Sequence, residues 1–176
     1  DRLKAQPKPT EGNANMQQLL QQIESKDINT KVENVNVPNQ PFRMYVQYKN
    51  VAILYGKILR LNDFKNFPEN IYAENFWQKI SKLNSYKTFT QALPQTNDYQ
   101  KHAAEIKIDA LPVGQYVILA SSGENFSDST DKMIVQFFDV SKISYLQNGT
   151  DFFVLNRETG KPLTGVKVII DAQTYD

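Results

Sequence analysis

The sequence offers few residues able to do chemistry, and the first is its single histidine, His102. Asp98 precedes it by four residues and Glu105 follows by three. A catalytic histidine needs an orienting carboxylate and a nucleophile within hydrogen-bond reach. Asp98 and Glu105 can supply the first, but no spacing marks the second, so His102 reads as an exposed or strand-edge residue. Glu124, Asp128 and Asp131 gather in one stretch, and such oxygen-rich clusters bind calcium. They lack the spacing and central glycine of an EF-hand loop, and a solvated acidic loop is the simpler reading. The chain has no glycine-rich phosphate loop, no His-Glu-x-x-His and no Gly-x-Ser-x-Gly. Cysteine is absent, which excludes disulfides, thiol catalysis and cysteine metal centres. No catalytic residue, metal ligand or cofactor-binding residue is therefore assigned, and the expectation is a non-enzyme without a cofactor.

Composition narrows the partners. The 176 residues include 20 basic and 19 acidic side chains, giving a formal charge of +1. These charges are spread along the chain, unlike the concentrated Lys and Arg of nucleic-acid binders, so nucleic acid is not an expected partner. Apolar residues make up 40%, enough for a core. The longest apolar runs, such as Tyr116 to Ala120, have the length of a strand, and no segment reads as a membrane span. The start, Asp1-Arg2-Leu3-Lys4, reads as the middle of a chain. Ten Phe and nine Tyr tilt the balance towards β structure.

The elements follow from periodicity. Residues 1 to 28 read as a flexible lead-in and a short helix, whose apolar stripe is Met16, Leu19, Leu20 and Ile23. From residue 29 the period becomes two. Val32, Val35 and Val37 mark one candidate strand, and Phe42, Met44, Val46 and Tyr48 mark a half-buried one. The next runs from about Val51 to Leu61, in a hairpin with its predecessor or on a facing sheet. Residues 62 to 93 interrupt the pattern with a helix over Glu74 to Leu83, expected to cover one end or edge of a sheet. Trp77 on its apolar stripe reads as a core anchor, though a ligand-stacking role is the alternative. Glu105 to Ile108, Tyr116 to Ala120 and Met133 to Phe138 are further strands, the middle one apolar on both faces as in a sheet centre. Leu111-Pro112-Val113-Gly114 makes a turn. The fold class is mainly β: an antiparallel sandwich of about seven strands over residues 29 to 139, with a short helical insertion. Residues 140 to 176 restart the pattern and read as the truncated opening of a second sandwich.

Two stretches carry a family resemblance. One is Asp98 to His102, Glu105 to Ile108, then Leu111-Pro112-Val113-Gly114-Gln115-Tyr116 and the strand to Ser121. The other is Phe138-Asp139-Val140-Ser141, then Phe153 to Leu163 with Thr159-Gly160-Lys161-Pro162-Leu163, then Gly165-Val166-Lys167-Val168. Together they resemble a macroglobulin domain and the junction into the next in bacterial alpha-2-macroglobulins of Bacteroidetes type. The resemblance implies a scaffold and interaction module in a periplasmic or cell-surface protein that traps proteases. Its partners would be neighbouring macroglobulin-like domains and proteases. The chain holds no Cys, so it contains no thioester of that family. Asp128-Ser129-Thr130 also resembles a Bacteroidetes O-glycosylation motif and makes Ser129 a candidate modification site. Asn125-Phe126-Ser127 and Asn148-Gly149-Thr150 match the N-glycosylation pattern, a match that arises readily by chance. The rival function is a surface adhesin or glycan-binding sandwich using exposed Tyr72, Trp77 and Tyr86.

Overall fold

The computed structural model describes residues 11–68, 70–170 and 173–175. Of the lead-in and short helix expected over residues 1 to 28, residues 1 to 10 lie outside the described residues. The first element is helix α1, Glu11–Glu24. Its last turn is tied to the turn at Lys49 and Asn50. Asn50 Nδ2 donates to the carbonyls of Ile23 (2.7 Å) and Ser25 (3.0 Å), and Lys49 Nζ donates to that of Gln22. These bonds satisfy carbonyls that a helix end leaves without partners. Leu20 and Ile23 are half-buried, while Met16 and Leu19 stay exposed.

Eight strands then build two facing sheets. The smaller has the order β1 (Asp27–Lys31), β3 (Phe42–Lys49) and β6 (His102–Ile108), all antiparallel. The larger has the order β2 (Val35–Asn36), β8 (Met133–Val140), β7 (Gly114–Ser121), β4 (Ile53–Arg60) and β5 (Lys87–Ala92). This is the mainly β, sandwich-like architecture that the alternation predicts. β3 and β4 lie on facing sheets rather than in one hairpin. β5 lies within the stretch expected to interrupt the β pattern; Thr88, Phe89 and Thr90 give it β-favouring residues. β2 adds a short parallel pair with β8, Val35 opposite Asp139 and Asn36 opposite Val140.

The core lies where period-two patterns face each other. Met44, Val46, Tyr48, Ile106 and Ile108 point inward from one sheet, and Leu54, Ile58, Tyr116, Ile118 and Phe138 from the other. The tyrosine of the Leu111-Pro112-Val113-Gly114 turn region is fixed there. Tyr116 is fully buried, stacks on Phe138 at 5.6 Å and donates its hydroxyl to the Pro112 carbonyl at 2.9 Å. Where the chain crosses from β1 to β2, Gln136 stands in for a missing strand. Its side-chain amide accepts from Val32 N (3.0 Å) and donates to Val32 O (3.2 Å).

A second cluster explains why β7 is apolar throughout. Its outer face, with Val117 and Leu119, meets Leu59, Phe76, Ile80 and Phe126. Phe76 and Ile80 belong to helix α2, Phe76–Ser81, and both are fully buried. The insertion thus covers the outer face of the larger sheet, not an end or edge, because that face is itself apolar. Lys57 Nζ caps it from below, donating to the Ser81 carbonyl at 2.7 Å and lying 4.5 Å from the Phe126 ring centre.

After Ser141 the chain pairs with itself. β9 (Ile143–Asn148) and β10 (Asp151–Asn156) form an antiparallel hairpin closed by Gly149 and Thr150, with Gly149 at φ +61°. β11 (Val168–Ile170) and β12 (Gln173–Tyr175) form another. Neither joins a sandwich sheet among the described residues. No helix among them is long and apolar enough to cross a membrane.

Candidate functional site

The residues with chemical potential gather where β5 gives way to β6. Leu93 is buried and its N–H bonds the Ala52 carbonyl, which ends β5 against the β3–β4 turn. The chain then arches over residues 94 to 101 and returns as β6. Both feet of the arch are fixed. Tyr48 donates its hydroxyl to the Pro94 carbonyl at 2.9 Å; burial pushes this phenol above its ordinary pKa, so it keeps its proton. Lys101 Nζ lies 2.8 Å from Asp27 Oδ2, and that bond lowers the Asp27 carboxyl.

Within the arch, Asp98 organises the loop. Its Oδ1 accepts from His102 Nε2 (2.8 Å), the Gln100 N–H (2.9 Å) and the Thr96 hydroxyl (3.1 Å). His102 also approaches Oδ2 at 3.0 Å. The His102 bond, followed by the Gln100 N–H, holds this carboxyl down to about 2, so it is ionised across the biological range. The residues on either side, Asn97 (φ 55°) and Tyr99 (φ 58°), occupy the left-handed region, as does Asn50 (φ 55°) across the gap. Such a conformation is unusual for a bulky residue such as tyrosine and clusters at ligand clamps and switches. Between the arch and the β3–β4 turn lies a cavity of about 220 Å³ lined by Tyr48, Asn50 and residues 94–100 with His102.

Of the two carboxylates near His102 in sequence, Asp98 pairs with it, while Glu105 faces away and bonds Arg43 at 2.8 Å. No Ser, Thr or Tyr hydroxyl bonds the imidazole among the described residues. The sequence singled out His102 and Asp98 but not the cavity. Asn50, Asn97 and Tyr99 carried no periodic signal, because left-handed residues lie outside regular elements.

The other candidates are dispersed. Asp131 is engaged within its own loop: Oδ2 accepts from the Ser127 N–H at 2.8 Å and Oδ1 from the Thr130 hydroxyl. Among the described residues no group of three or more His, Cys, Asp or Glu is placed to hold a metal ion. Ser129 is exposed in a turn, 3.0 Å from the Ser127 hydroxyl. The three aromatics considered for ligand stacking have separate surroundings. Tyr72 is 90% exposed, Trp77 is half-buried edge-on against Phe76 at 5.2 Å, and Tyr86 lies between Tyr116 and Arg60. The anchor of the insertion is Phe76 rather than Trp77.

No family model matches this chain, and no curated protein matches it. Similar solved structures include the CARDB domain of the PF1109 protein from Pyrococcus furiosus, crystallised in complex with di-metal ions. It is 15% identical with a TM-score of 0.37, covering 66% of this chain and 92% of that one. The soluble domain of PmoD from Methylocystis sp. is 11% identical with a TM-score of 0.32, covering 66% and 90%. These findings correct the resemblance to alpha-2-macroglobulins: no family model supports it and neither of these structures is a macroglobulin. The quoted residues mislead for a physical reason. Leu111 to Tyr116 is a turn tied by a tyrosine hydroxyl to backbone four residues upstream, a device that unrelated sandwiches share. Thr159-Gly160-Lys161-Pro162 is likewise a tight turn, with Gly160 at φ +67° and its N–H on the Asn156 carbonyl. The protease-trapping role and the macroglobulin neighbours lose their support with the family.

Proposed function

We propose that this chain is a non-enzymatic interaction module, a β sandwich whose hairpin β9–β10 pairs with a sheet of a partner domain, a second copy of the chain serving where no other partner is present. The observation that carries the reading is apolar exposure on both faces of this hairpin. Tyr145 is 66% exposed on one face, and Phe153, opposite Leu146, is 53% exposed on the other. A two-stranded sheet with apolar side chains on both faces has the pattern of strands interior to a larger assembly.

The hairpin's edge supports the same reading. β9 reads Ile-Ser-Tyr-Leu-Gln-Asn, with no charge and no proline, and its outer side is unpaired among the described residues. Free edges meant to stay free carry charges that discourage pairing. The free edge β6 is of that guarded kind, with Glu105 and Lys107 exposed. An extracytoplasmic location belongs to the proposal; a chain without cysteine has no thiol to be oxidised there.

Light scattering on the full chain and on a form ending at Val140 tests the reading. The expected result is concentration-dependent association of the full chain that disappears in the short form and in Tyr145→Lys. A full chain that stays monomeric, with amides 143–156 protected from exchange, overturns it.

A further inference from the structure

We propose that the cleft between the 94–101 arch and the β3–β4 turn binds one ring of a neutral sugar, such as the terminal residue of a glycan. This surface is separate from the β9–β10 hairpin and stands independently of its role. The cavity, about 220 Å³, falls below the roughly 300–1,000 Å³ of pockets for drug-sized ligands, so its natural occupant is a single ring.

The lining selects the chemistry. Gln95, Asn97 and Gln100 line the cleft as exposed residues whose side-chain amides make no hydrogen bond to another described residue, which leaves them free for a ligand. Each amide carries two donors and an acceptor oxygen, which suits vicinal hydroxyls that both donate and accept. Asp98 is ionised and held in one orientation by three donors on Oδ1, which leaves Oδ2, approached only by His102, as the fixed acceptor for a ligand hydroxyl. Its charge disfavours phosphate, sulfate and carboxylate ligands. It is also a poor match for an ammonium or a divalent cation, because Oδ1 already serves three donors and no second carboxylate lines the cleft among the described residues. An apolar ligand would strand the amides without partners.

Tyr99 adds an aromatic surface to the cleft. This residue lines the cleft, is 53% exposed and sits on a left-handed backbone that most residues avoid. An exposed tyrosine ring offers an apolar face and a polar tip, the two surfaces that a sugar ring presents in turn. The arch is fixed at Pro94 and Lys101, so the groups are in place before a ligand binds.

The test is an amide-shift titration of the full chain with methyl glycosides of neutral hexoses and N-acetylhexosamines. Saturable shifts confined to residues 50 and 94–102 are expected for at least one glycoside. Tyr99→Gly removes the ring while suiting the left-handed backbone. It should weaken binding roughly tenfold, the scale of one aromatic contact, and Tyr99→Phe should retain it. Asn97→Gly should also weaken it, with melting temperatures unchanged in each variant. The proposal is overturned if no neutral glycoside gives saturable shifts, if Tyr99→Gly binds as the parent does, or if methylamine or sulfate alone gives the same shifts.

Discussion

The ring of Phe89 on β5 lies where a β-carbon on Gly56 of β4 would have to stand. The two residues are direct cross-strand partners on the inner face, so the glycine is a site of close packing and its φ is not left-handed. Gly56→Ala should push the ring outward and cost about 1–3 kcal/mol, the range for overpacking a core. Urea unfolding should show a lower midpoint with an unchanged slope. The double variant Gly56→Ala/Phe89→Leu should recover part of the loss.

Phe76 and Trp77 are neighbours with different work. Phe76 is fully buried beneath α2, so Phe76→Ala should cost about 3–5 kcal/mol through lost burial and a residual cavity. Trp77→Ala should cost about half of that or less, since its ring is half-buried. Equal losses in denaturant unfolding would contradict this ranking.

Tyr116→Phe isolates one hydrogen bond. The ring keeps its stacking on Phe138 while the Pro112 carbonyl loses its donor. A loss of about 1 kcal/mol is expected. A neutral outcome would show that water takes the hydroxyl's place.

Asp98 has a folded-state pKa of about 2 against an ordinary 3.8. A depressed carboxyl stabilises the fold fully above the ordinary value, and the contribution is lost as pH falls through the folded value. The arch should therefore loosen as pH drops from 3.8 towards about 2. A carbon-detected carboxyl titration checks this, and His102→Gln should move the midpoint upward by removing the largest cause.

The parts of the fold legible in the sequence are those that repeat. Met44, Val46 and Tyr48 alternate because one face of β3 is core and the other is solvent. The run from Tyr116 to Ala120 announced a strand covered on both faces, and Val117 and Leu119 do meet a second layer. What covers them was not legible, because Phe76 and Ile80 specify a helix stripe without specifying the surface it lies on. β5 was lost among the polar residues of the insertion. The candidate site was half legible: Asp98 and His102 share a short spacing, whereas Asn50 joins them only through a fold that brings residues some fifty apart in the chain together. Sequence resemblance failed where the residues were those of generic turns.

The Gln136 side chain that completes the backbone pairing of Val32 reaches across 104 residues. During synthesis, β1 therefore leaves the ribosome long before the group that finishes its crossover exists. Closure of this corner must wait for β8, the last strand of the sandwich, and non-local pairing of this kind folds slowly. The nascent chain up to residue 132 would hold an unclosed sheet with an apolar interior, exposed for seconds at ordinary elongation rates of about 5–20 residues per second. The emergence of one glutamine thus sets the earliest moment at which the domain can be sealed.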